Sequence, residues 1–422
     1  MKDTQQRVDS TEPKKDTAKD FEQSAVADTA KKGFWSLFVV MMGFTFFSAS
    51  MSVGAKLGTG LALSDFFLAV VAGGAILLVY TGFLAYVGSK TGLSMDLLAR
   101  RSFGQKGSFL PSLMISITQI GWFGVGVAMF AVPAAELLGI NVWIIIILAG
   151  ALMTFTSWWG IDAIGIVSAI SVPLIAILGI YSMTTAVGDG GGFTAVFANS
   201  GGMTLTTGIG LVVGSFISGG TATPNFVRFA KSAKSAVVAT GIAFFIGNSL
   251  MFLFGAVGGA FTGQDDIFYV MIAQGLAIPA LIVLGANIWT TNNNALYSAG
   301  LGLANVTSKR KRPMTLIGGI VGTLAALWLY NNFVTWLNIL NTTLPPIGAI
   351  LVLDYFLHKN RYVQNSIEPS TIIRPASVIG VVAGALVANF IPFGIASLNA
   401  MAVAAICYLV GELIARNKKD VS

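Results

Sequence analysis

Apolar stretches long enough to cross a bilayer recur twelve times in this 422-residue chain. They fall at about 34–57, 66–88, 109–133, 141–159, 163–187 and 206–224, and again at about 236–262, 276–303, 314–330, 333–357, 372–390 and 395–415. A helix needs about 20 mostly apolar residues to cross a ~30 Å hydrocarbon core. Every backbone polar group must be satisfied within that core, so such a chain folds as a bundle of membrane helices. The composition agrees, with 55% hydrophobic residues, 10% charged residues and a mean hydropathy of +0.78. A soluble domain carries about 25% charged residues, more than twice this share. The expected fold is therefore an all-α polytopic membrane protein of about twelve transmembrane helices. Its least secure pair is the ninth and tenth, which only Asn331 and Asn332 separate.

The net charge of +7 does not point to nucleic acid, because the basic residues cluster at span ends and in short loops. With the N-terminus inside, the even-numbered connections carry Lys90, Arg100, Arg101 and Lys106, then Arg228, Lys231 and Lys234, and the Lys309–Arg312 run. Lys359, Arg361, Arg374 and the basic C-terminal residues fall on the same side. The outer connections carry Asp65, Glu136, Asp189, Asp265 and Asp266, with Lys56 as the one basic exception. This asymmetry sets both termini in the cytoplasm, as in a multi-pass bacterial inner-membrane protein. The polar stretch 1–32 reads as a disordered cytoplasmic tail, 33–415 as a single transmembrane domain, and 416–422 as a cytoplasmic C-terminal tail. No short apolar run near the start resembles a secretory signal. With one cysteine, Cys407, no disulfide framework or thiolate metal site is possible, and with one histidine, His358, a membrane metalloenzyme is not expected. His358 reads as an ordinary surface residue in a loop.

Two spans read as interrupted. The first contains Gly43–Ser50 followed by Gly54, Gly58 and Gly60, and the sixth runs Gly214-Ser215-Phe216-Ile217-Ser218-Gly219-Gly220 to Pro224. Glycine, serine and proline weaken helix interiors, and irregular backbone survives at membrane depth only beside protein or a wet cavity. Breaks in corresponding positions of two halves mark inverted-repeat carriers, here five helices plus five with two extra helices. The same glycines also permit close helix packing, which is the plainer explanation of any one of them.

Chemistry-bearing side chains gather in two spans. Gln119 and Trp122 stand three apart on one helix face, offering a donor–acceptor amide beside a flat ring. A planar heterocycle with a polar edge suits that pair, and so does a packed tryptophan with a helix-bonded glutamine. Asn287, Thr290 and Thr291 stand at i, i+3 and i+4, so their neutral oxygens can converge on a small hard cation. Threonines bonded back to their own helix are the alternative. Asp162, Asp354 and Glu412 fall near span ends, leaving the expected bundle core almost free of carboxylates. Intramembrane carboxylates mark proton relays, so their scarcity favours a neutral substrate and sodium rather than proton coupling.

Longer stretches carry a resemblance: Gly43–Ser50, Leu97–Gly104, Gln119–Phe130, Val212–Ser218, Asn287–Tyr297 and Ala326–Val334. In these the chain resembles the cytosine permeases of the nucleobase–cation symporter family. The resemblance implies alternating access and sodium-coupled import of cytosine, with sodium as coupling ion and no organic cofactor. It implies a base held between Trp122 and Phe216, its polar edge met by Gln119, Ser215, Asn287 and the backbone at Phe47 and Ser48. It implies a sodium ion among the carbonyls of Gly43 and Phe46 and the oxygens of Asn287, Thr290 and Thr291. Phenylalanine at 216, where relatives handling bulkier rings have tryptophan, favours the smaller pyrimidine. Asn225 and Asn293 depart from the family pattern, which often has aspartate at both. Another neutral nucleobase or a hydantoin-like ring, and a passive channel, remain the alternatives. An enzyme is not expected.

Overall fold

The computed structural model describes residues 21, 23–158, 161–363, 371–391 and 393–420, with positions 161–168, 416 and 418–420 described by backbone alone. Among the described residues there is no β-strand, and a single parallel bridge joins Lys32 to Ala230. The first span is a pair, α1 (Phe34–Thr45) and α2 (Ser48–Gly60), followed by α3 (Leu63–Thr91) and the short α4 (Met95–Phe103). Next come α5 (Phe109–Leu138), α6 (Val142–Ser157), α7 (Ile161–Asp189) and the one-turn α8 (Phe193–Val196). α9 (Leu205–Ala222) leads into α10 (Pro224–Val227), and α11 (Ala233–Gly241) continues through a π-helical stretch at Ile242–Gly247 into α12 (Asn248–Thr262). The rest comprises α13 (Ile267–Ala273), α14 (Ala277–Thr307), α15 (Lys311–Asn331), α16 (Phe333–Thr343), α17 (Pro345–Leu357), α18 (Pro375–Phe390) and α19 (Ala396–Asp420).

Among the described residues, eight helical stretches are long and apolar enough to cross a bilayer, and the bent pair α1–α2 makes a ninth. α6 and α18 are apolar but only 16 residues each. α14 has 31 residues and carries the asparagine- and threonine-rich run that lowers its hydropathy. Each of the twelve stretches seen in the sequence is therefore helical.

The first span breaks where expected. α1 and α2 meet at 48°, across Phe46 (φ −74°, ψ 81°) and an extended Phe47 (φ −126°, ψ 130°). The glycines beyond the break do something else. Gly54 and Gly58 face the backbone of Phe252 and Ala256, while Gly255 and Gly259 face the backbone of Met51 and Ala55. Two small-xxx-small faces thus bring α2 and α12 into backbone contact, and a Cβ at these positions would collide.

The sixth span differs from the sequence expectation. α9 stays helical through Gly214, Gly219 and Gly220 to Ala222, and the helical run is interrupted only at Thr223, where Pro224 opens α10. Its glycines serve packing: Gly214 meets the Leu337 carbonyl, Gly219 the Phe44 ring, and Gly220 the Thr81 and Tyr80 side chains. Proline at the first position of a helix removes no needed donor, so the interruption falls there.

Two further expectations are corrected. The tail expected over 1–32 is held on the bundle from Gln23 to Lys32. Val26 is fully buried and donates to the Gly92 carbonyl at 3.0 Å, and Lys32 donates to the Phe229 carbonyl at 2.6 Å. Ala25 and Ala30 pack on the core beside Val26, so a few small apolar residues and backbone hydrogen bonds hold this stretch. At the other end α19 remains helical to Asp420. His358 is not an open surface residue either: its Nε2 lies 2.7 Å from Glu412, because the loop after α17 folds back on α19. Beside it Asp354, fully buried, accepts from Arg361, Tyr362 and Tyr408. Lys56, the one outer basic residue, is paired with Asp265.

Candidate functional site

A break within a span leaves the last carbonyls of one helix and the first amides of the next without helical partners. Asn287, on α14 and fully buried, meets both sides of the break. Its Oδ1 accepts from the Ser48 amide at 2.8 Å and from the Ser48 hydroxyl at 2.9 Å, while its Nδ2 donates to the Phe46 carbonyl. One side-chain amide carries a double acceptor and a double donor, and few other side chains could fill both roles. The Ser48 hydroxyl also reaches the Leu284 carbonyl at 3.3 Å. The first span and α14 are thus joined at the bend itself.

Beside this junction lies a small cavity of ≈ 20 Å³, room for about one water molecule. Phe47, Gln119, Trp122, Ser215 and Phe216 line it, as the sequence expects of a base site. Ser48 and Asn287 do not line it; they are occupied with each other next to it. Thr291, expected among the sodium ligands, does line it. A pyrimidine is larger than this space, so binding requires the aromatic walls to part. Those walls are interlocked edge to face: Trp122 meets Phe47 at 5.9 Å and Phe333 at 6.0 Å, and Phe216 meets Phe44 at 5.3 Å and Phe244 at 5.4 Å.

Gln119 is oriented by its neighbours. Its Nε2 donates to the Ser218 hydroxyl at 2.7 Å, and that hydroxyl also pairs with Thr118 at 2.9 Å. Its Oε1 takes no protein hydrogen bond among the described residues, which leaves an acceptor at the cavity wall. Ser215 returns its hydroxyl to the Val212 carbonyl at 2.7 Å. The sequence reading missed Ser218, although it stands one turn beyond Ser215, and it missed Phe44 and Asn292, which also line the cavity.

The residues expected to hold sodium come only partly together. Phe46 and Asn287 are bonded to each other. The Thr291 hydroxyl reaches the Asn287 carbonyl at 3.3 Å, and the Thr290 hydroxyl the Ala286 carbonyl at 3.2 Å, so both bond back to their own helix. Thr290 also meets Ser171 of α7 at 3.1 Å, a further neutral oxygen. No described hydrogen bond joins Gly43 to α14, though its carbonyl belongs to the last turn of α1, whose carbonyls have no intrahelical donor. The donor set is entirely neutral oxygen and buried, which fits a hard monovalent cation. Among the described residues no group of three His, Cys, Asp or Glu side chains could hold a metal ion.

The two departures from the family pattern are accommodated. Asn293 accepts through Oδ1 from Thr156 at 3.0 Å and Ser157 at 2.9 Å, tying α14 to α6. Asn225 accepts from the Met95 amide at 2.8 Å. At each position the amide oxygen supplies the acceptor that is used, and the Asn225 Nδ2 is buried with no hydrogen-bond partner among the described residues. Arg228, fully buried nearby, donates to the carbonyls of Asn225 and Phe21 and to the Tyr297 hydroxyl.

Asp96, at the start of α4 and only 2% exposed, lies in the same region. Burial pushes its carboxyl up to about 6, against the opposing pull of the Ser112 hydroxyl and the Arg228 and Arg100 charges. An acid titrating near 6 when folded and near 4 when unfolded takes up protons on folding between those values. Its contribution to stability is full below about pH 4 and is lost as pH rises through 6. Thermal unfolding of Asp96→Asn should therefore fall less steeply between pH 4 and 7 than wild type, by up to ~3 kcal/mol over the interval. Parallel curves for the two proteins would contradict this.

A bundle of membrane helices, with a first span bent beside an enclosed aromatic cavity, is an architecture that membrane transporters use. The chain belongs to the family of permeases for cytosine/purines, uracil, thiamine and allantoin, whose pattern it matches over residues 26–411. It is 49% identical over 400 residues to the cytosine permease of Escherichia coli (strain K12), covering 94% of this chain and 95% of that one. It is 23% identical over 359 residues to the hydantoin permease of Microbacterium maritypicum, covering 75% and 72%. Among solved structures, it matches a nucleobase-cation-symport-1 family transporter in a closed conformation with bromovinylhydantoin bound (TM-score 0.81, 19% identity, covering 94% and 96%). It also matches a Na+-coupled sialic acid symporter (TM-score 0.71, 15% identity, 93% of each chain). At these identities the structural matches speak for the fold, and the family for a transporter rather than an enzyme.

Proposed function

We propose that this chain is a symporter that imports cytosine with sodium across the bacterial inner membrane by alternating access. In this reading twelve spans form five-plus-five inverted repeats with two extra helices, and both termini are cytoplasmic. The observation that carries it is the small aromatic cavity, which gathers five of the seven residues read as base-binding and abuts the Asn287 junction. The base stacks between Trp122 and Phe216 once the walls part. The Gln119 Oε1 accepts from the exocyclic amine, and Ser215 and Asn287 address the rest of the polar edge. Sodium is held by the carbonyls of Gly43 and Phe46 with Asn287, Thr290 and Thr291, and would supply the positive charge that keeps the bend in its binding geometry. Support for the substrate comes from the 49% relative being a cytosine permease, and for the ion from the all-neutral oxygen set and a structural neighbour that is Na+-coupled.

The test is uptake of radiolabelled cytosine by proteoliposomes, competed by uracil, purines and hydantoin. Saturable uptake competed best by unlabelled cytosine is expected; stronger competition by another ring would replace cytosine as substrate. Gln119 offers a sharper check. Cytosine and uracil share a shape but differ where an amine replaces a carbonyl, and an unpaired buried group costs about 1–3 kcal/mol. Gln119→Leu should lose roughly tenfold or more in cytosine affinity and flatten the preference over uracil. Full discrimination in the variant would remove Gln119 as the reader.

A further inference from the structure

A cavity far larger than the proposed substrate site lies elsewhere on the molecule. It is a groove of ≈ 980 Å³ on the lipid-facing side, between α6 and α15. Its floor is made where the two helices touch: Gly150 packs on Thr323, and Gly319 on Thr154. Its walls are exposed apolar side chains, Ile147, Leu152 and Phe155 on α6 and Leu316, Ile320 and Leu324 on α15. No acidic residue lines it.

The groove ends asymmetrically. At the end that the proposed orientation makes cytoplasmic stands Trp158, 38% exposed, with the Arg312 guanidinium 5.8 Å from its ring centre. Lys309, Arg310 and Arg312 are exposed there, while Lys311 is buried and turned over the Tyr297 ring at 4.3 Å. The other end carries no charged side chain among the lining residues. From Ile147 to Trp158 the α6 wall rises about 16 Å at ~1.5 Å per residue. That is about half of a ~30 Å hydrocarbon core, the depth of one leaflet.

We propose that this groove binds one anionic glycerophospholipid of the inner leaflet, its acyl chain along the α6–α15 seam and its phosphate against Arg312 beside Trp158. A one-leaflet apolar channel capped by cationic donors matches that molecule in length, polarity and sign. Tryptophan belongs at headgroup level, and basic side chains at the cytoplasmic surface attract anionic lipid. A second copy of the chain would meet the same apolar walls, but every copy brings further cations to the basic end. The proposal rests on the orientation given above but not on the substrate or the ion.

The experiment is native mass spectrometry of the full chain in mild detergent, with phosphatidylglycerol and phosphatidylcholine of equal chain length added in competition. Wild type should retain one phosphatidylglycerol in preference. Arg312→Gln should lower that preference about fivefold, the worth of one basic residue at a membrane surface, while Arg312→Lys keeps it. Ala151→Phe, which fills the groove from an exposed position, should reduce retention of both lipids. Leu386→Phe, on the exposed face of α18, should change nothing, and thermal unfolding of all four variants confirms intact folding. Equal retention of the two lipids by wild type, or an unchanged preference in Arg312→Gln, would overturn the proposal. So would a two-copy mass that Ala151→Phe abolishes.

Discussion

Replacing Asn287 with alanine is expected to lower cytosine uptake by a hundredfold or more. The side chain makes three hydrogen bonds across the bend, to the Ser48 amide, the Ser48 hydroxyl and the Phe46 carbonyl. Without it, two backbone groups at membrane depth lose their partners, at about 1–3 kcal/mol each. The proposed base and sodium sites lose a shared wall in the same step. Ser48→Ala keeps the Phe46 contact and the Ser48 amide contact and should cost far less, roughly tenfold or below, since only the contacts of one hydroxyl, to Asn287 and the Leu284 carbonyl, are removed. Initial uptake rates, with thermal unfolding as a check on folding, separate the two. Near-equal effects of the variants would mean that the bend does not depend on Asn287.

Trp122→Ala should weaken cytosine binding by roughly ten- to hundredfold, since an aromatic–base stack is worth about 1–3 kcal/mol. The closed cavity adds a second expectation. Trp122 also holds Phe47 and Phe333 by their ring edges, so its loss loosens the aromatic wall in the absence of substrate. Phe216→Ala should act in the same direction by a smaller step, because Phe44 and Phe244 still crowd its side of the cavity. Equilibrium binding to purified protein measures both. Wild-type affinity in a folded Trp122→Ala protein would eliminate the aromatic clamp.

The helices and the first bend were legible in the sequence because hydropathy and local backbone preference decide them. Gly43–Ser50 weakens a helix wherever it is placed. The role of each glycine was not legible in the same way. Gly54 and Gly58 sit against α12, and Gly214 against Leu337, so what looked like weakness in the sixth span is a close approach set by tertiary neighbours. Side-chain identity marked Gln119, Trp122 and Asn287, since polar and aromatic groups at helical spacing need partners at membrane depth. Pairing was harder to read. Ser218 holds Gln119, and Asn287 turns toward Ser48 and Phe46, through contacts between residues 99, 239 and 241 positions apart. Val26 shows the same limit at the N-terminus: flanked only by small alanines it gives no periodicity, yet with Ala25 and Ala30 it seats the stretch before α1 on the bundle.

Sodium coupling is the central claim, and accumulation tests it most directly. Proteoliposomes with sodium outside and choline inside are compared with vesicles holding equal sodium on both sides, at matched ionic strength. An inward sodium gradient should drive labelled cytosine to an internal concentration above the external one, and equal sodium should bring it only to equality. By linkage, sodium should also tighten cytosine binding by the factor by which cytosine tightens sodium. Cytosine that equilibrates but never accumulates, with an affinity indifferent to sodium, would contradict the symport reading and leave a passive facilitator in its place.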